Sequence, residues 1–265
     1  MGEQRLISIA AGVSPELADA PCTFVEIAAQ AGWEGTGVWF EPSSWTDKTT
    51  NEINKRIGDS GLTVVDMEVV RMGPSGDCGE RLVEAAAQIG AKNILTVSSF
   101  DSIEATAERL NELCAFALSS DIRVCIEFMR FTSVRTLADA LAVVQLVGYE
   151  NVGILVDLIH VFRSGTTYNE IREADAGLFP YAQWCDAPSE PCGWSNRELI
   201  RDALDDRSIP GEGDMPVDEF ELLFDISVPF SVEVRSKSLR DAFPDFLERA
   251  EHLLSATSNA ITFTG

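Results

Sequence analysis

The chain has 265 residues, 20 of them basic against 43 acidic, for a formal net charge of -23. A surface this acidic repels a phosphate backbone, which excludes nucleic acid as a partner. No apolar run reaches the ~20 residues that a bilayer span needs, which excludes the membrane. Such a length can bury a large core without disulfides or metal. The six cysteines, Cys22, Cys78, Cys114, Cys125, Cys185 and Cys192, form no CxxC pair and read as reduced thiols. The opening MGEQRLISIAAGV lacks the basic leader and the apolar length of a signal peptide, so a cytoplasmic protein is expected.

Along the chain, short β-branched runs alternate with amphipathic stretches. Strands are predicted at 6–11, 35–41, 62–71, 93–98, 123–128, 152–158, 180–185 and 230–234. Helices are predicted between them at 23–31, 48–60, 80–90, 103–119, 137–148, 168–175, 197–205 with 218–224, and finally 242–255. Gly32, Gly61, Gly90 and Gly148 stand where helices should stop. Eight strand-then-helix units in one unbroken run predict a single α/β domain over residues 1–265, a closed (β/α)8 TIM barrel. An open doubly wound sheet is the rival, but no GxGxxG follows the first strand.

Four of these strands carry a polar residue near the C-terminal end, where a core strand should be apolar. They are Glu127 in VCIEF, Asp157 in ILVD, Gln183 in YAQW and Glu233 in SVEVR. In a closed barrel those ends converge on one mouth. An unpaired buried carboxylate costs several kcal/mol, roughly, and three together cost more unless a cation neutralises them. Local arginines such as Arg123, Arg130 or Arg235 could pair single acids. Four consecutive strands ending alike point instead to one divalent metal ion held by Glu127, Asp157, Gln183 and Glu233. The all-oxygen set suits Mn2+ or Mg2+ best and also accepts Co2+.

His160, three residues after Asp157, falls at the predicted start of the loop leaving the sixth strand. It is a candidate acid, base or donor to a substrate oxygen. His252, in the last amphipathic stretch, reads as structural. Arg71, Arg163 and Arg235 near strand ends are candidates to bind a substrate carboxylate or phosphate. Trp39 and Trp184, with Trp45 and Phe131, could wall a pocket.

Through IEFMRF, VGILVDLIHVFRSG, YAQWCDAP, PGEGDMP and SVEVRS, the chain resembles the xylose-isomerase-like barrel superfamily over essentially its whole length. This group is often labelled sugar phosphate isomerases/epimerases. The resemblance implies one divalent ion on Glu127, Asp157, Gln183 and Glu233, with Glu127 and Glu233 moving the proton on opposite faces of the substrate carbon. It implies a metal-dependent isomerase or epimerase acting on a small polyhydroxylated carbonyl substrate. Two positions depart from the pattern. Gln183 stands where most sugar epimerases have histidine, and there the chain is similar to the 3-dehydroshikimate dehydratases, which also share the aspartate–x–x–histidine of Asp157 and His160. Trp39 follows Gly37-Val38, where many relatives have glutamate. A dehydratase (lyase) and a non-catalytic barrel that binds a small molecule are therefore the alternatives. Endonuclease IV shares the barrel but uses several metals and many histidines, which two histidines do not supply. Whether the chain forms a homo-oligomer is left open.

Overall fold

The computed structural model describes residues 4–260. Its strands are β1 (Ile7–Ile9), β2 (Gly35–Trp39), β3 (Thr63–Met72), β4 (Asn93–Ser98), β5 (Arg123–Glu127), β6 (Val152–Asp157), β7 (Ala182–Trp184) and β8 (Phe230–Val232). All neighbours pair in parallel, in chain order, and β8 closes on β1 through Ile7 opposite Phe230 and Ile9 opposite Val232. The expected closed barrel is the observed one.

The helices are α1 (Pro21–Gln30), α2 (Asp47–Ser60), α3 (Gly79–Ile89), α4 (Ile103–Ala117), α5 (Leu137–Gln145), α6 (Leu158–Ser164), α7 (Tyr168–Glu173), α8 (Asn196–Asp205), α9 (Val217–Glu221), α10 (Lys237–Ala242) and α11 (Phe246–Ala260). Thr46, Thr136, Thr167 and Ser195 each close a capping box, which satisfies amides that the first helical turn leaves free. Gly61 and Gly90 end α2 and α3 in the left-handed conformation that a Cβ disfavours.

Two elements differ from the sequence reading. The segment after β6 is a helix at once, because the Asp157 side chain accepts the amide of Ile159 at 3.0 Å and caps α6. His160 therefore sits in a helical first turn and not in a loop. The single predicted helix 242–255 is two helices broken around Pro244, which has no amide to donate.

Strand alternation divides the core in two. Residues such as Ile126, Val156, Trp184 and Phe230 point outward and pack with Leu113, Val143, Phe220 and Leu253 of the helix layer. Inside the barrel Val65, Leu95, Val97, Cys125, Leu155 and Tyr181 form a much smaller apolar cluster. Above it, toward the C-terminal mouth, the interior turns polar.

Candidate active site

Glu127 ends β5 and Asp157 ends β6, each on the parity that points inward. Gln183 is the middle residue of β7, and Glu233 follows β8, its amide bonded to the carbonyl of Trp184. All four side chains are buried. A Cβ on Gly12 would come within 2.7 Å of Glu233 Oε1, so the turn after β1 lies directly against this acid.

Glu127, Asp157 and His160 each offer a ligand atom, all within 4.8 Å of one another, and make a buried candidate metal site. His160 Nε2 lies 3.7 Å from Glu127 Oε1 and 3.9 Å from Asp157 Oδ2, while its Nδ1 is buried without a partner. The edge of Phe131 covers the imidazole, with ring centroids 5.7 Å apart. Burial, reinforced by the charge of Arg207, pulls His160 down to about 3, so the ring is neutral near neutral pH.

The sequence reading missed Arg207. This buried residue follows α8, and its guanidinium bridges two of the acids: Nη1 donates to Asp157 Oδ2 at 2.7 Å and Nη2 pairs with Glu233 Oε2 at 3.0 Å. Its Nε donates to the carbonyl of Ala203. It is this arginine, not Arg123, Arg130 or Arg235, that makes the direct ion pairs. Arg123 is spent on the carbonyls of Val152 and Gly177, and Arg130 on that of Arg163. The amide end of Gln183 lies 3.3 Å from Asp157 Oδ2 and 3.1 Å from Glu233 Oε2; turned nitrogen-first, it donates to both.

Glu68, also missed, lines the same cavity from β3, with Oε1 buried and unpartnered. Asp66, two residues earlier, reaches the interior beside Val65, where the register of β3 against β2 shifts, and accepts a long bond from Ser231 Oγ at 3.4 Å. Alternate acids in the buried run TVVDMEVV were the available signal for both. Burial and the neighbouring acids hold Glu127 and Glu68 well above the carboxylate range. Burial and the charge of Glu233 push Asp66 up to about 7.

These groups open on a cavity of about 260 Å³ at the mouth of the barrel. Of the residues that the sequence reading put forward to bind substrate, Trp39, Arg71 and Arg235 line it. Two other expected residues face elsewhere. Trp184 points outward by alternation and packs on Phe230 with centroids 5.6 Å apart. Arg163 is buried, locked to Asp202 by bonds of 2.8 and 3.3 Å, and donates to the carbonyls of Pro188 and Ser189, so four of its five donors are spent away from the cavity. Trp45 pairs with Phe40 and hydrogen-bonds Thr50. His252 stacks on Phe243, a structural contact as expected.

Asp186, just past β7, holds the mouth in shape. Its buried carboxylate accepts the amides of Ala187, Gly211, Gly213 and Met215 at 2.8 to 3.0 Å. Its backbone also pairs with Ser208, next to Arg207. The Gly-rich PGEGDMP stretch is thereby fastened to the strand that carries Gln183.

An inosose isomerase of Halalkalibacterium halodurans is 27% identical over 112 residues, which is 42% of this chain and 37% of that protein. Among solved structures, a fusion of a xylose isomerase-like TIM barrel with a 4-hydroxyphenylpyruvate dioxygenase superposes with a TM-score of 0.78 at 18% identity, over 96% of this chain and 42% of the fusion. The IolI protein, solved with a zinc atom, superposes with a TM-score of 0.77 at 15% identity, over 99% of this chain and all of the other. Less than half the length of the isomerase and of the fusion is thus matched, and identities this low between structures carry the fold alone. The family model described as xylose isomerase-like TIM barrel matches residues 17–255. Because that match runs from before α1 into α11, taking in seven of the eight strands, the chain belongs to the family of xylose isomerase-like TIM barrels.

Proposed function

We propose that the chain is a divalent-metal-dependent isomerase or epimerase that moves a proton at a carbon next to a carbonyl of a small hydroxylated substrate. The observation that carries this reading is a surplus of buried acid around one cavity. Glu127, Asp157 and Glu233 face one directly bonded cation, Arg207. Without an ion, burial and crowding keep Glu127, Glu68 and Asp66 toward their neutral forms. With Glu127 ionised, three carboxylates against one guanidinium carry two negative charges, which one divalent ion would balance. Glu127, Asp157, Glu233 and Gln183, its amide then turned oxygen-first, would hold it. When bound, such an ion supplies Lewis-acid polarisation of a substrate oxygen.

The remaining work falls to the chain itself. Glu127 and Glu233 take and return the proton at carbon. Arg207 keeps the carboxylates of Asp157 and Glu233 in place and lowers the cost of their burial. The neutral His160 donates a hydrogen bond to a substrate oxygen through Nε2. Phe131, Met129, Ile200 and Leu204 at the mouth exclude water once substrate fills the cavity.

Gln183 favours a second reading, loss of a β-hydroxyl after the same proton removal, because this position is where the sequence resembles dehydratases. Both readings share one test. Purified protein should hold about one divalent ion per chain. Ion-loaded protein incubated in deuterated water with a panel of inososes and other hydroxyketones should place deuterium at the reacting carbon, or eliminate water. Full turnover after complete ion removal, or a strict need for a nicotinamide or flavin, would overturn both.

A further inference from the structure

The acids of the cavity say what chemistry is done; the rest of its lining says to what. Arg71 and Arg235 belong to that lining, and neither has a hydrogen bond to a carboxylate among the described residues, although the charge of Arg235 acts on Glu68 and Glu233. Arg56, Arg109, Arg163, Arg201, Arg207, Arg240 and Arg249 pair with acids, and Arg71 and Arg235 are not among them. The Nε of Arg235 is moreover buried without a partner. Two guanidinium groups left open beside a cavity suit an incoming anion.

Beside these charged groups the lining is apolar: Trp39, Val69, Met129, Phe131, Ile200 and Leu204 contribute to it, and the last two stay 40% and 38% exposed on α8. No Ser, Thr, Asn, Gln or Tyr side chain lines the cavity among the described residues. An open-chain sugar would find partners only at the acids, the arginines and His160, and any hydroxyl turned to the apolar part of the lining would be left unpaired at a cost. Past Trp39 and Arg235, which wall both spaces, a second hollow of about 120 Å³ is lined mainly by Pro15, Leu17, Pro21 and Phe24, so the apolar surface continues on that side.

From this lining we infer that the substrate is a small amphipathic anion: a hydroxyl or carbonyl end toward Glu127 and Glu233, an apolar body against Trp39 and Phe131, and a carboxylate or phosphate held by Arg71 and Arg235. The inference builds on the proposed function, whose active end it takes as given, and it narrows the substrate away from neutral polyols.

Binding of four probes to the ion-loaded protein tests it, by calorimetry or by the fluorescence of Trp39: benzoate, phenyl phosphate, benzyl alcohol and xylitol. At least one of the two anions should bind about tenfold or more tightly than either neutral probe, the scale of a charge-assisted hydrogen bond. The tighter anion names the group as carboxylate or phosphate. Arg71→Gln, at an exposed position that does not threaten folding, and Arg235→Gln should each weaken that anion by about tenfold and leave the metal content unchanged. Leu204→Asn should weaken benzoate and benzyl alcohol alike by a few-fold. Xylitol binding as tightly as the anions, or anion affinity indifferent to both arginine substitutions, would overturn the inference. Metal content, read separately on the same samples, keeps the two claims apart. Anion binding without any ion would sink the proposed function alone, and a full ion complement with no anion preference would sink this inference alone.

Discussion

Two buried arginines of this barrel make instructive opposites. Arg163 meets one carboxylate, Asp202, and donates to two carbonyls as well. The charges there balance, and neither residue lines the cavity at the mouth. Arg207 meets two carboxylates, in contact with a cavity that Glu127, Glu68 and His160 also line. Around it Glu68 Oε1, Asp66 Oδ2 and His160 Nδ1 stay without partners. A buried ion pair alone is therefore no mark of function, since both arginines have one. What separates them is surplus charge and unspent hydrogen-bonding capacity beside open space.

The largest expected effect comes from cutting the surplus at an acid that is proposed to hold the ion and move the proton. Glu233→Gln should abolish stoichiometric ion binding and lower turnover by about 10²–10⁴-fold, the range for one acid–base group, with the fold retained. Elemental analysis and circular dichroism read both parts, and full ion occupancy in the variant would place the ion elsewhere. At the balanced site the loss should appear in stability instead. Arg163→Ala strands the buried Asp202 and should cost about 3–5 kcal/mol in urea denaturation, with ion content unchanged. Reduced ion content in a folded Arg163→Ala protein would erase the distinction between the two sites.

Arg207→Met sharpens the contrast. Asp157 and Glu233 would lose their counter-ion, yet buried acids can shed charge by taking up protons. The ion-free variant should lose on the order of 1–3 kcal/mol, less than Arg163→Ala. Added Mn2+ should then raise its melting temperature by more than it raises that of the parent, because the ion takes over the missing neutralisation. Equal shifts in the two proteins would mean that Arg207 and the ion do not share one charge balance.

The barrel was legible because each strand is a β-branched run of about the right length, and the period-two alternation carried Glu127, Asp157, Gln183 and Glu233 to one face. Asp157 was read only as an acid, so its second role as the cap of α6 was overlooked and His160 was put in a loop. Trp39 and Trp184 looked alike in the sequence, but alternation turns Trp184 outward beside the inward Gln183. Arg207 lies in no strand and outside any periodic pattern. Only the turn that Asp186 builds with the PGEGDMP stretch brings it to the acids, and a contact between residues 157 and 207 has no local signature. Glu68 was readable in principle, two residues from Asp66 on a buried strand, where the alternation of acids was passed over.

The smallest expected effect tests the surplus through pH. Asp66 has an ordinary value of 3.8 and is pushed up to about 7, first by burial and then by the charge of Glu233. Between those values the folded chain keeps a proton that the unfolded chain has released. The contribution of Asp66 to stability should therefore fall as pH rises from about 4 to 7 and level off above it. Asp66→Asn keeps an oxygen to accept the Ser231 hydroxyl but removes the charge, so it should flatten this slope. In ion-free protein at pH 8 it should be the more stable form by about 1 kcal/mol or more, given that one pKa unit is worth roughly 1.4 kcal/mol. Asp202→Asn makes the same chemical change at the balanced site and should destabilise at pH 5 and pH 8 alike, because Arg163 then loses its partner. Urea denaturation of the two variants at the two pH values gives opposite signs if acid surplus is what separates these sites. The same sign for both would mean that Asp66, like Asp202, is an ordinary structural acid.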